Sequence, residues 1–298
     1  MKSNKVFWAH SSAVSALFFL GNAIIKAPTN QADEFTFLAY LITCGIGFLL
    51  YFPISFLSMK IYCESLFGAK VFRKIFISII LLAVSIVSCF TIAETFMDYV
   101  NFIKEEILVG AHLFSIVLIF GLVCLFFALK RQEDFLKFGL LCFWFVFALI
   151  LFFFFAALPN YSLRNIFIFR LPDIKTLFKQ SLPYFKNPVL PSLLLPVYNA
   201  LVFKSAKKSS LFSGYLLGAI LLGLGILSPV LLFGTSFAGN LDFPFFSAVS
   251  TVSIGRLFTR LDGFSYFIYF SAAIMRINVC VFIIYSSLKK ISEFLRNN

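Results

Sequence analysis

Apolar residues in this chain form long unbroken runs, separated by short segments that carry most of its charge. The period-2 alternation of half-buried strands is missing from these runs. A helix needs about 20 consecutive apolar residues to cross the hydrocarbon core of a bilayer. By that measure the pattern predicts eight spans, near 6–25, 35–57, 75–97, 107–129, 135–157, 189–203, 211–235 and 264–288. The expected fold class is therefore all-α, a polytopic membrane helical bundle. Barrel strands would be shorter and would alternate. Connections are short except after Ala157 and after Thr235, so residues 1–298 read as one integral-membrane domain.

Composition strengthens this reading. Hydrophobic residues make up 61% of the chain and charged residues only 13%, too little polarity for the skin of a water-soluble domain. The net charge of +12 raises the question of a nucleic-acid partner, but the positions of the charges answer it. With the N-terminus inside, fifteen of the 25 Lys and Arg fall on inside segments, nine outside and one, Arg276, within a span. The opposite orientation would export the basic loops Lys60–Lys74, Lys130–Lys137 and Lys204–Lys208, against the positive-inside rule. Both termini are expected in the cytoplasm, and no nucleic acid is expected as a partner. Lys2 and Lys5 before an apolar run imitate a signal peptide, but no clean small-x-small cleavage site follows. The six cysteines lack paired spacing and read as apolar fillers.

Polar and helix-breaking residues inside spans are costly, so they mark where function is to be sought. In the first span, Gly21-Asn22-Ala23 is a candidate break, since glycine and asparagine tolerate left-handed backbone. A break at membrane depth exposes backbone groups able to hold a ligand; the bland alternative is a glycine for close packing. The sixth span carries Pro183, Pro188, Pro191 and Pro196, followed by Tyr198 and Asn199. Interruptions in the first and sixth spans together point to a central ligand site. Glu94 and Asp98 share one face of the third span, as an outer gate or a structural pair, with His112 as a possible neighbour. Arg276, in the middle of the last span, needs an interior partner, for which Glu94 or the carbonyls of a broken helix are candidates. No HExxH, Walker A or GxSxG motif is present, so no enzyme is expected, and no metal or organic cofactor is indicated.

Several stretches carry a resemblance. They are Phe19-Leu-Gly21-Asn-Ala-Ile-Ile25 ahead of Gln31-Ala-Asp-Glu34, and Thr95-Phe96-Met-Asp98-Tyr. A third is Ser253-Ile-Gly255-Arg-Leu-Phe-Thr259-Arg260-Leu-Asp262 before an aromatic span, followed by Arg276-Ile277. Through them the chain resembles the B subunits of GerA-type spore germinant receptors, the spore-permease branch of the amino acid–polyamine–organocation transporters. That family typically reads Glu-Arg-Leu-Glu/Asp where this chain has Thr259-Arg260-Leu261-Asp262, so Arg260 and Asp262 match and Thr259 departs.

The resemblance implies a LeuT-like fold of ten helices in two inverted repeats, here shortened to about eight. It implies a small nutrient, often an amino acid, bound between broken helices 1 and 6 by Gly21, Asn22, Ala23, Tyr198 and Asn199. Glu94, Asp98, Arg276, Arg260 and Asp262 would serve coupling or gating, with Arg276 a fixed cation where sodium-coupled relatives hold an ion. The implied partners are the bilayer and the receptor's A and C subunits, and the implied place is a bacterial cell membrane or spore inner membrane. A proton-coupled amino-acid permease is the alternative function.

Overall fold

The structure is a computed structural model that describes residues 2–25, 35–63, 71–165, 174–202, 208–252 and 262–296. Among the described residues every regular element is helical. In chain order they are α1 (Lys2–Leu20), α2 (Thr36–Cys63), α3 (Val71–Phe102), α4 (Leu113–Ala128), α5 (Gln132–Ala156) and α6 (Ile174–Tyr184). There follow α7 (Leu190–Ser192), α8 (Leu195–Val202), α9 (Lys208–Phe233), α10 (Thr235–Ala238), α11 (Pro244–Ser250) and α12 (Asp262–Arg296). π-Helical turns extend α3 through Ile107 and join α6 to α7 over Phe185–Val189.

Five segments are long and apolar enough to cross a membrane: Thr36–Phe56, Ile75–Ile107, Gln132–Ala156, Ser210–Phe233 and Gly263–Phe294. Trp8–Leu20 and Leu113–Ala128 are apolar but shorter. The chain is thus an integral membrane helical bundle. Where eight spans are expected from hydropathy, the first helix stops at Leu20 and the sixth run divides into several pieces. The third helix runs past its expected end near 97, because Glu94 and Asp98 find polar partners within the protein and so do not end the helix.

Burial shows which faces meet lipid. Residues 11–25 are buried without exception, so the first helix and the turn after it form the centre of the bundle. They are surrounded by α5, α9 and α12. On α9, a Cβ at Gly214 would come within 2.5 Å of Ser15 Cβ, and one at Gly218 within 2.8 Å of Phe19 Cβ. This small-xxx-small spacing lets the α1 and α9 backbones touch.

Helix α3 packs most extensively on α12. It turns Ser85, Ser88, Thr91 and Thr95 inward, each hydroxyl donating to the carbonyl four residues back. Polar but satisfied small residues therefore line that seam. The opposite face of α3 exposes Ile79, Leu82, Ile86 and Phe90, a stripe suited to hydrocarbon. In the long connection after Thr235, α11 buries Phe245, Phe246 and Val249 beside α9 and α12.

Candidate functional site

The break after α1 begins at Gly21, whose φ of +36° lies in the left-handed region that glycine adopts readily. Its N–H still donates to the Leu17 carbonyl at 3.0 Å, and the Ile24 N–H donates to the Leu20 carbonyl at 3.2 Å. Between them, the N–H groups of Asn22 and Ala23 find no backbone acceptor among the described residues. Both residues are buried, at 1% and 0% exposure, so these donors are removed from solvent with no backbone replacement among the described residues.

Arg276 fills the notch that the missing glycine side chain leaves. A Cβ at position 21 would lie 2.4 Å from both Cδ and Nη1 of Arg276. The arginine is wholly buried. Its Nη1 donates to Asn22 Oδ1 at 2.6 Å, and its Nη2 donates to the Asn187 carbonyl at 2.9 Å. The guanidinium carbon stands 5.6 Å from the Phe18 ring centroid, within cation–π range. The Nε–H has no partner among the described residues.

The Asn187 carbonyl is available for a reason legible in the sequence. Pro191, four residues on, has no N–H to return to it. Two of the four prolines open helices, Pro191 in the first turn of α7 and Pro196 as the second residue of α8, whereas Pro183 lies inside α6 and Pro188 inside the π turn. A helix start tolerates proline because its first N–H groups have no intrahelical partner.

Asn22 links the arginine to an acid. Its Nδ2 donates to Asp98 Oδ2 on α3 at 2.8 Å. A carboxylate, a carboxamide, a guanidinium and a main-chain carbonyl thus join α3, the α1 break, α12 and the π turn. Among the described residues the guanidinium has no direct carboxylate partner within hydrogen-bond reach; its charge is answered by two neutral oxygens and, through Asn22, by Asp98. Burying such a charge costs several kcal/mol. Two charge-assisted bonds, each worth about 1.5–3 kcal/mol, offset much of that. One turn away, Glu94 pairs with Lys186 at 3.7 Å, with both side chains partly exposed. Glu94 is therefore on the rim of the network and is not the hydrogen-bond partner of Arg276. His112 stands exposed as the N-cap of α4.

The remaining expected site residues lie elsewhere. Asn199 Oδ1 accepts from Ser11 Oγ at 3.0 Å, and Ser210 donates to Ser11 at 3.4 Å. Ser11 precedes Asn22 by about 16 Å of helix rise, so Asn199 is far along the bundle from the break. The Asn199 Nδ2 has no partner among the described residues. Tyr198 is buried with its ring edge-on to Phe282, centroids 5.5 Å apart. Phe185–Val189 is tied to the α1 break through Arg276, which donates to both Asn22 and the Asn187 carbonyl, so Asn187 replaces Tyr198 and Asn199 as the contribution of the sixth run. Arg260 lies outside the described residues, and Asp262 is the first residue of α12. Among the described residues no group of three His, Cys, Asp or Glu side chains is placed to hold a metal.

No protein-family model, curated protein or solved structure matches this chain.

Proposed function

We propose that this chain is a transporter-like, nutrient-sensing membrane subunit of a spore germinant receptor. In this reading a small nutrient binds at the α1 break, and the resulting movement is passed to A and C partner subunits. The chain would be a LeuT-like bundle in a spore inner membrane or cell membrane, with both termini cytoplasmic. One observation carries the reading: two interrupted helices meet at a single buried arginine.

The chemistry of the break favours an amino acid as ligand. Among the described residues the buried Asn22 and Ala23 amides have no backbone acceptor and Arg276 Nε has no partner, and a donor surplus suits a carboxylate. Arg276 supplies a fixed cation at the break, so ligand binding needs no external sodium. Sodium-dependent binding by the purified protein would count against that role.

The test is germination of spores lacking this gene, scored by phase darkening across amino acids, sugars and nucleosides. Loss of response to one nutrient class, restored by the wild-type gene and not by Asn22→Ala, is the expected result. An unchanged response to every nutrient refutes the receptor reading. Uptake of an amino acid into proteoliposomes driven by a pH gradient would establish the permease instead.

A further inference from the structure

A groove of about 460 Å³ runs between α2 and α9. Its walls include Phe37, Cys44, Phe48, Ala219 and Gly223, all within segments able to cross the membrane. The volume falls in the range of about 300–1,000 Å³ typical of small-molecule sites. Its chemistry excludes a polar occupant. Tyr40, Cys44 and Tyr215 are the lining residues with side-chain heteroatoms, and both phenols are already used. Tyr40 donates across the seam to the Ala219 carbonyl, and Tyr215 donates back to the Cys44 carbonyl at 3.0 Å. These two reciprocal ties fix the spacing of the helices at the floor of the groove.

The groove opens toward lipid. Its lips, Leu41, Leu216 and Ile220, are exposed at 50%, 47% and 60%. On α2 they continue into the exposed apolar side chains Leu38, Leu49 and Phe52. From Phe37 to Phe48 the groove extends about 16 Å at 1.5 Å rise per residue. A single extended hydrocarbon chain suits a groove of that length and 460 Å³ volume, and inside the membrane hydrocarbon is what its exposed lips meet. An empty slot would also forfeit dispersion contacts along its walls.

We propose that this groove is a site for one acyl chain of a bilayer phospholipid, held between α2 and α9 as a bound lipid distinct from the exchanging annulus. Gly45 supplies the means to test it. It lines the slot, and an added Cβ there meets nothing within 4 Å, so Gly45→Phe fills the groove without disturbing helix packing.

Protein purified in dodecyl maltoside is delipidated by washing, incubated with dioleoylphosphatidylglycerol and analysed by native mass spectrometry. The expected result is a lipid-bound peak for wild type and for Gly45→Ala, lost in Gly45→Phe at an unchanged melting temperature. Equal retention by wild type and Gly45→Phe, or none by wild type, overturns the proposal. A wild-type dimer dispersed by Gly45→Phe would also overturn it, by assigning the face to a second copy of the chain. A measurement on wild type alone removes any question of folding: a phosphatidylcholine with a mid-chain photoactivatable diazirine, reconstituted in vesicles, should label Cys44, Gly45 and Ala219 above the exposed stripe of α3. Uniform labelling of the lipid-facing stripes overturns the assignment.

Discussion

Replacing Gly21 with alanine tests whether the break and the buried arginine form one unit. Two costs are calculable. An L-residue held in left-handed backbone costs about 1–2 kcal/mol, and φ at Gly21 is +36°. The new methyl would also lie 2.4 Å from Arg276 Cδ and Nη1. The arginine cannot move aside freely, because Asn22 and Asn187 hold its two terminal nitrogens. Giving up either bond costs about 1.5–3 kcal/mol. Together these predict a destabilisation of about 3–5 kcal/mol, at the far end of single-substitution effects.

The assay is unfolding in dodecyl maltoside, by SDS titration or heat. Gly45→Ala is the control: that helical glycine has open space around its would-be Cβ, so alanine should be neutral or stabilise by about 0.5–1 kcal/mol. In an Arg276→Ala background, Gly21→Ala should cost only its backbone share, leaving a coupling of at least about 1.5 kcal/mol. A loss below about 1 kcal/mol in the single variant, or strict additivity in the pair, would refute the reasoning.

Asn22→Leu should destabilise more than Arg276→Met in the same assay. The first leaves a buried guanidinium with one acceptor, a loss of about 3–5 kcal/mol. The second leaves two unsatisfied oxygens, about 1–3 kcal/mol each at most, but also removes the cost of burying the charge, several kcal/mol, so its net loss is the smaller; the reverse order would contradict the charge network. Glu94→Gln should change stability by less than about 1 kcal/mol, since exposed pairs contribute little and are screened by salt; a larger, salt-independent loss would show that Glu94 reaches deeper than the rim. Asn199→Leu should stay within about 1 kcal/mol of wild type, because the asparagine makes one neutral bond and already buries an unpartnered N–H. A loss of several kcal/mol would reveal a partner for that amide.

The helical membrane class, the interruption at Gly21 and the interior place of Arg276 were legible in the sequence, because each follows from local chemistry. An apolar run of sufficient length crosses lipid, glycine permits a left-handed turn, and a guanidinium in hydrocarbon must find oxygen. The identity of that oxygen was half legible. The proline at 191 implies an unpaired carbonyl at Asn187, but four prolines in one run leave several such carbonyls to choose among. Tyr198 and Asn199 attract attention as polar residues beside a proline, yet the antiparallel path of the sixth run past α1 carries Asn199 to Ser11 instead.

Depth along a bundle is a long-range property, set by which residues of one helix pack beside which of another. The third helix teaches the same lesson, since Asp98 resembles a helix end until Asn22 is seen opposite it. What the sequence determined by itself was the solvent, the helices and the residues that lipid will not tolerate alone. The tertiary structure decided which of those residues meet, because hydrogen bonds of 2.6–2.9 Å depend on packing between helices that are far apart in the chain.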